Sequence, residues 1–194
     1  MARTESYMLP LNTKAFDFTL TNSVDQKQVS LNQVKGISGT LIIFMCNHCP
    51  YVLHLLDKMV EVSKNIKEWR INTIAISSND VENFPEDRPE LMRKLALKKS
   101  FGFPYLYDET QEIARAYQAA CTPDFYLFDH DLKLVYRGRF DNARPKNNNP
   151  ITGKDLMNAC QRLSKGIAQE REQIPSLGCN IKWKSGNEPE GFFV

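Results

Sequence analysis

Apolar positions change their period several times along the chain, and each change predicts an element. Ala15-Phe16-Asp17-Phe18-Thr19-Leu20 alternates apolar and polar, as a half-buried strand does. Val29-Ser30-Leu31 resumes the alternation after a polar turn, which predicts a hairpin. Thr40 to Met45 is a continuous apolar run with β-branched residues, the pattern of a strand covered on both faces. Val52, Leu55, Leu56, Met59, Val62 and Ile66 then recur at three- and four-residue steps, giving an amphipathic helix that ends near Trp69. Thr73-Ile74-Ala75-Ile76 is a second buried strand. The polar stretch from Ser77 to Pro89 reads as a loop, with Pro89 as the first residue of a helix through Leu95. Thr110 to Tyr117 forms a short helix. Phe125 to Phe128 and Leu132 to Tyr136 are antiparallel neighbours about the turn Asp129-His130-Asp131. Thr152 caps a last helix carrying Leu156, Cys160 and Leu163 on one face, and from Gln173 onward the chain reads as irregular.

The order is hairpin, β, α, β, α, α, β, β, α, which defines an α/β fold: a mixed central sheet flanked by helices. Its 194 residues suit one domain over residues 1–172 and a tail over 173–194, packed on the domain or extending from it. Hydrophobic residues at 42% and charged residues at 25% are ordinary for a globular chain. The formal charge is +2, with Lys and Arg scattered, so no basic block points to nucleic acid or to an anionic membrane. Met1 to Tyr7 is polar and has no apolar signal segment, and no run is long enough to span a bilayer. The expected location is the cytoplasm, where thiols stay reduced and a CxxC reads as catalytic or metal-binding before it reads as a structural staple.

Five cysteines, Cys46, Cys49, Cys121, Cys160 and Cys179, form an odd and uneven set, unlike a secreted disulfide framework. Cys46-Asn47-His48-Cys49 stands between a buried strand and a helix. On this reading Cys46 lies at or near the helix N-cap and Cys49 in the first turn, with their Cα atoms about 5 Å apart, within disulfide range. The positive end of the helix then favours the Cys46 thiolate, the attacking form. The dipole supplies only about 0.3–1 kcal/mol, whereas one pKa unit needs about 1.36 kcal/mol. His48 is the expected second source, so Cys46 attacks, Cys49 resolves and His48 tunes. Each pKa unit gained makes the couple more oxidising by about 30 mV. A zinc reading needs a second Cys/His pair, but His54 lies on the same helix and the other cysteines are isolated.

Phe44-Met45-Cys46-Asn47-His48-Cys49-Pro50-Tyr51-Val52, Cys121-Thr122-Pro123-Asp124-Phe125 and Pro175-Ser176-Leu177-Gly178-Cys179-Asn180-Ile181-Lys182-Trp183 together resemble the peroxiredoxin-like, thioredoxin-fold family of redoxins (AhpC/TSA-like). The resemblance implies a thioredoxin-like fold extended by an N-terminal β-hairpin. It also implies a cis-proline at Pro123 opposite the dithiol, which exposes the Thr122 backbone to an extended substrate segment. Peroxiredoxins place Pro and Thr/Ser ahead of the peroxidatic Cys. For Cys49 those places hold Ile42 and Cys46; for Cys46 they hold Gly39 and Ile43. The acid that thioredoxin buries ahead of its dithiol has no counterpart from Lys35 to Met45.

These departures favour thiol-disulfide exchange over peroxide reduction. The expected partners are a disulfide-bearing protein or small thiol substrate and a thiol reductant system, with no cofactor, no nucleic acid and no membrane. A thiol peroxidase of antioxidant type and a redox sensor or metal-binding module remain as alternatives. Cys121, beside Pro123, and Cys179, where two-Cys peroxiredoxins keep a resolving Cys, are candidate additional redox thiols; a buried structural role is the alternative for each. Cys160 belongs to the core. His54 and His130 read as surface or structural residues, and Arg137 and Arg139 as a solvated edge, with contact to an anionic substrate as the alternative.

Overall fold

A computed structural model describes residues 3–189. The elements in chain order are β1 (Arg3–Glu5), β2 (Thr19–Asn22), β3 (Gln28–Ser30), α1 (Leu31–Val34), β4 (Gly39–Phe44), α2 (Pro50–Glu68), β5 (Ile71–Ser77), a 3₁₀ turn (Pro85–Asp87), α3 (Pro89–Lys98), β6 (Tyr105–Tyr107), α4 (Glu112–Ala116), β7 (Cys121–Thr122), β8 (Asp124–Asp129), β9 (Leu134–Arg137), α5 (Lys154–Ser164) and β10 (Leu177–Asn180). Among the described residues no helix is long and apolar enough to cross a membrane.

Seven strands form the main sheet in the order β3-β2-β6-β5-β4-β8-β9. β4, β5 and β6 run parallel, and β8 and β9 close one side antiparallel. Every residue of β4 is buried, as its unbroken apolar run requires. Leu41 and Ile43 face one core, with α2 and α5, while Ile42 and Phe44 face the other, with Ile74, Leu106, Tyr117 and Tyr126. Each such side chain removed from water contributes about 1.5–3 kcal/mol.

The hairpin exists, but its first strand begins at Thr19, and Leu31 opens a helical turn instead of continuing the second strand. Tyr105–Tyr107 is a strand that the sequence pattern missed; at three residues it is too short to show a period. α5 starts from Gly153 rather than Thr152. Gly153 has φ +66, and an added Cβ there would lie 2.8 Å from Phe140.

The largest difference is in the tail. Leu177–Asn180 is not irregular. It is the centre of a second, antiparallel sheet of order β1-β10-β7. Its two hydrogen-bonding partners, Arg3–Glu5 and Cys121–Thr122, are remote in sequence, and its small residues carry no alternation. Residues 190–194, the end of the expected tail, lie outside the described residues, as do Met1 and Ala2.

Candidate active site

The carboxyl ends of the parallel strands β4 and β5 open on the same edge of the sheet, the place where α/β proteins gather ligand-binding groups. Cys46 follows β4 after Met45. Cys49 is the N-cap of α2, with Pro50 at the first helical position. The pair is therefore placed differently from the sequence expectation. Cys46 sits in the loop ahead of the helix, and Cys49, not Cys46, meets its positive end. Pro50 sets this boundary: it fits the first turn, and it disfavours a helical conformation at Cys49 before it.

Both sulfurs are buried, Cys46 at 1% and Cys49 at 0% exposure, and they stand as separate thiols. Of the three sulfurs, Cys49 is the one favoured as thiolate, while Cys46 and Cys179 keep their protons. The Cys49 pKa is lowered, first by the Cys179 S–H and then by the Cys46 S–H, which both favour its thiolate; burial opposes the shift. The Val52 amide helps slightly, in a contact too loose to be a capping hydrogen bond. Cys46 is pushed the other way, by its hydrogen bond to Cys49, by burial and by the nearby Asp87 charge. In its thiol form Cys49 donates to the Thr122 carbonyl at 3.1 Å. Cys46 Sγ lies 3.5 Å from Thr122 Oγ1.

His48 is held first by Asp87, with the Cys49 charge acting on it more weakly. Its Nδ1 lies 2.7 Å from Asp87 Oδ2, and its ring stacks on Phe84 at 5.8 Å. The hydrogen bond to Asp87 raises the His48 pKa above its ordinary value.

A buried acid, Asp87, does stand beside the dithiol. It arrives from the 3₁₀ turn after β5 and is fully buried. The Asn47 amide donates to its Oδ1 at 2.7 Å, and Asn79 Nδ2 donates to its Oδ2 at 2.7 Å. Tyr105 donates to Asn47 Oδ1 at 3.1 Å, and Asn47 Nδ2 donates to the Glu86 carbonyl at 2.9 Å. These bonds fix the loop carrying the two cysteines.

Sequence reasoning missed Asp87, Asn79 and Tyr105. Asp87 lies in the loop after β5, the strand parallel to β4, and Met45 and Cys46 follow β4. Ligand atoms of Cys46, His48 and Asp87 lie within 4.8 Å of one another and could approach one ion. Both Asp87 oxygens already accept protein donors, from Asn47, His48 and Asn79.

The Thr122-Pro123 bond is cis, as the resemblance implies. The Thr122 backbone is not open, however: β10 pairs with it, Cys179 opposite Thr122 and Asn180 opposite Cys121. Cys121 is buried, with its sulfur 3.7 Å from the Pro123 carbonyl, and burial pushes its pKa up. Of the two candidate additional thiols, only Cys179 joins the proton-sharing network of Cys46 and Cys49.

The arginines also differ from expectation. Arg137 is fully buried, 3.5 Å from Asp124 and 3.1 Å from the Tyr126 hydroxyl. Arg139 pairs with Asp155 at 2.6 Å.

A mixed sheet flanked by helices, with two cysteines at a strand-to-helix junction facing a cis-proline, defines a thioredoxin-like fold. Residues 11–137 match the AhpC/TSA family, and the chain belongs to that family. Two solved structures cover nearly all of it. An uncharacterized conserved protein from Geobacillus kaustophilus is 49% identical, with TM-score 0.93 over 95% of this chain and 97% of that one. A hypothetical protein from Sinorhizobium meliloti is 39% identical, with TM-score 0.92 over 94% and 100%. The thioredoxin domain of a thiol-disulfide oxidoreductase from Bacteroides vulgatus shares the fold at 18% identity, with TM-score 0.62 over 80% and 99%. No curated protein matches.

Proposed function

We propose that the chain is a thiol-disulfide oxidoreductase whose working dithiol is Cys46–Cys49. The observation that carries this reading is the placement of the pair: two buried thiols at the strand-to-helix junction, Cys49 at the N-cap of α2, both against Thr122 ahead of the cis-proline. The lowered Cys49 pKa agrees with Cys49 as the attacking sulfur. The thiolate is the nucleophile in disulfide exchange.

On this reading Cys49 attacks one sulfur of a disulfide-bearing protein or small disulfide. The substrate S–S bond breaks, and its second sulfur leaves and takes up a proton. Cys49 has then lost its charge and no longer holds up the Cys46 pKa. Cys46 releases its proton to the Asp87 carboxylate, which lies within 4.8 Å, and attacks Cys49 Sγ. The substrate's first sulfur leaves as a thiolate and takes up the proton held by Asp87, so the second thiol is released, the carboxylate is restored and a Cys46–Cys49 disulfide remains for a thiol reductant to reopen. This order reverses the sequence expectation in which Cys46 attacks first.

Peroxide reduction finds less support. The place of the activating Thr is taken by Cys46, and Arg137 and Arg139 stand beside the carboxylates of Asp124 and Asp155. A cytoplasmic setting suits the proposal and is supported by the odd, unevenly spaced cysteine set.

Insulin reduction driven by dithiothreitol tests the reading. Turnover is expected from the wild type and lost in both Cys46→Ser and Cys49→Ser. Turnover surviving in either variant, or fast thiol-driven peroxide consumption without insulin reduction, would sink it.

A further inference from the structure

The tail strand β10 lies on the strand edge beside the dithiol and carries its own cysteine there. Cys179 pairs in register with Thr122, whose carbonyl lies 3.1 Å from Cys49 Sγ. β10 touches α2, which Cys49 caps. Cys46, Cys49 and Cys179 belong to one buried cluster.

The approach is built in at Gly178. A Cβ at that position would sit 1.9 Å from the Thr122 carbonyl oxygen, so only glycine lets the strand come this close. Downstream, the Lys182 amide donates to Asn79 Oδ1 at 2.9 Å, and its carbonyl accepts from the Asp80 amide and from Gln111 Nε2. Asn79 is also the residue that donates to Asp87. The tail and the acid beside Cys46 therefore share one anchor.

We infer that Cys179 is a third redox-active thiol, which exchanges with the Cys46–Cys49 disulfide to give a Cys49–Cys179 disulfide that fastens β10 across the site. The inference rests on the dithiol reading above. The Cys179 sulfur attacks Cys49 Sγ, the Cys49–Cys179 bond forms and the Cys46–Cys49 bond breaks. Cys46 leaves as the thiolate and takes up the proton that Cys179 gives up. The number of disulfides is unchanged, so the step needs no added oxidant. The reverse attack by Cys46 unfastens the strand. β10 thus occupies the position an extended, cysteine-bearing substrate segment needs, and such a segment gains entry by replacing it.

The test uses the purified full-length chain, reduced and then oxidised with diamide. It is quenched in acid, alkylated and digested with trypsin without reduction. Cleavage at Lys35, Lys58, Arg171 and Lys182 leaves Cys46 and Cys49 in one peptide and Cys179 in another. The wild type is expected to give both the internal Cys46–Cys49 link and a cross-link to the Cys179 peptide. In Cys46→Ser the cross-link is expected to be the dominant disulfide, and in Gly178→Val it is lost while Cys46–Cys49 persists. An internal link in the wild type with Cys179 fully alkylated there and in Cys46→Ser overturns the inference and leaves the dithiol reading standing. Absence of the internal link from the wild type overturns the dithiol reading itself. Because the wild type already decides, a variant that fails to fold does not rescue the inference.

Discussion

His48 Nδ1 lies 2.7 Å from Asp87 Oδ2, with the imidazole only 16% exposed and the carboxylate fully buried. The bond favours the imidazolium, so the His48 pKa in the folded chain lies above its unfolded value of about 6.5. The sign follows from linkage. Stability from this pair is fully present below pH about 6.5 and is lost as pH rises through the folded pKa. An NMR titration of His48 is expected to show a raised midpoint, which returns towards the ordinary value in Asp87→Asn. A His48 midpoint that Asp87→Asn leaves unchanged would refute the coupling.

Asp87 also accepts from Asn47 and Asn79, so its loss leaves buried donors without acceptors. Each such group costs about 1–3 kcal/mol. Asp87→Ala is expected to lower the urea midpoint accordingly. The conservative Asp87→Asn is expected to fold while accumulating the Cys49 mixed disulfide, because Cys46 has lost its proton acceptor. Trapping of the mixed disulfide by mass spectrometry separates this chemical role from a purely structural one, which would lower stability without any accumulation.

Thiolate absorbance in the ultraviolet, followed against pH, reads the Cys49 charge without requiring a reagent to reach a buried sulfur. The wild type is expected to hold a thiolate well below the ordinary thiol range of about 8.5. Cys179→Ser and Cys46→Ser each exchange an S–H donor to Cys49 for a different, shorter one, so each is expected to move the titration. Loss of the low-pH thiolate only in Cys49→Ser assigns the charge; its loss only in Cys46→Ser would restore the order expected from sequence.

The residues whose partners are near in sequence were legible, and those whose partners are remote were not. The unbroken apolar run before Cys46 could only be a covered strand, and the spacing from Val52 to Ile66 could only be a helix, so the two cysteines were correctly placed at a strand-to-helix junction. Which of them caps the helix turned on a single residue, Pro50, and a one-turn error moved the dipole from Cys46 to Cys49. Asp87 lies 39 positions from His48, in a loop with no periodicity to mark it. Leu177-Gly178-Cys179-Asn180 looked irregular because its strand character comes from Thr122 and Thr4, not from alternation of its own side chains. Arg137 resembled a surface charge because its partner, Asp124, sits on the neighbouring strand.

That last pair gives a stability prediction. Asp124 follows the cis-proline and is fully buried. Burial raises its pKa, while the Arg137 charge and the Ser6 and Tyr126 hydroxyls act against the rise. Ser6 donates to Asp124 at 2.8 Å and Tyr126 at 3.0 Å, so the carboxylate ties β8 to the segment after β1. Replacing Arg137 alone leaves a buried carboxylate without its counter-charge, at a cost of about 3–5 kcal/mol. Arg137→Met is therefore expected to lower urea-unfolding stability by that amount. Arg137→Met combined with Asp124→Leu removes both charges and is expected to recover part of the loss, although Ser6 then loses its acceptor. If Arg137→Met costs less than about 1 kcal/mol, the ion pair does not hold β8 to the segment after β1, and packing of Tyr126 and Phe125 does so instead.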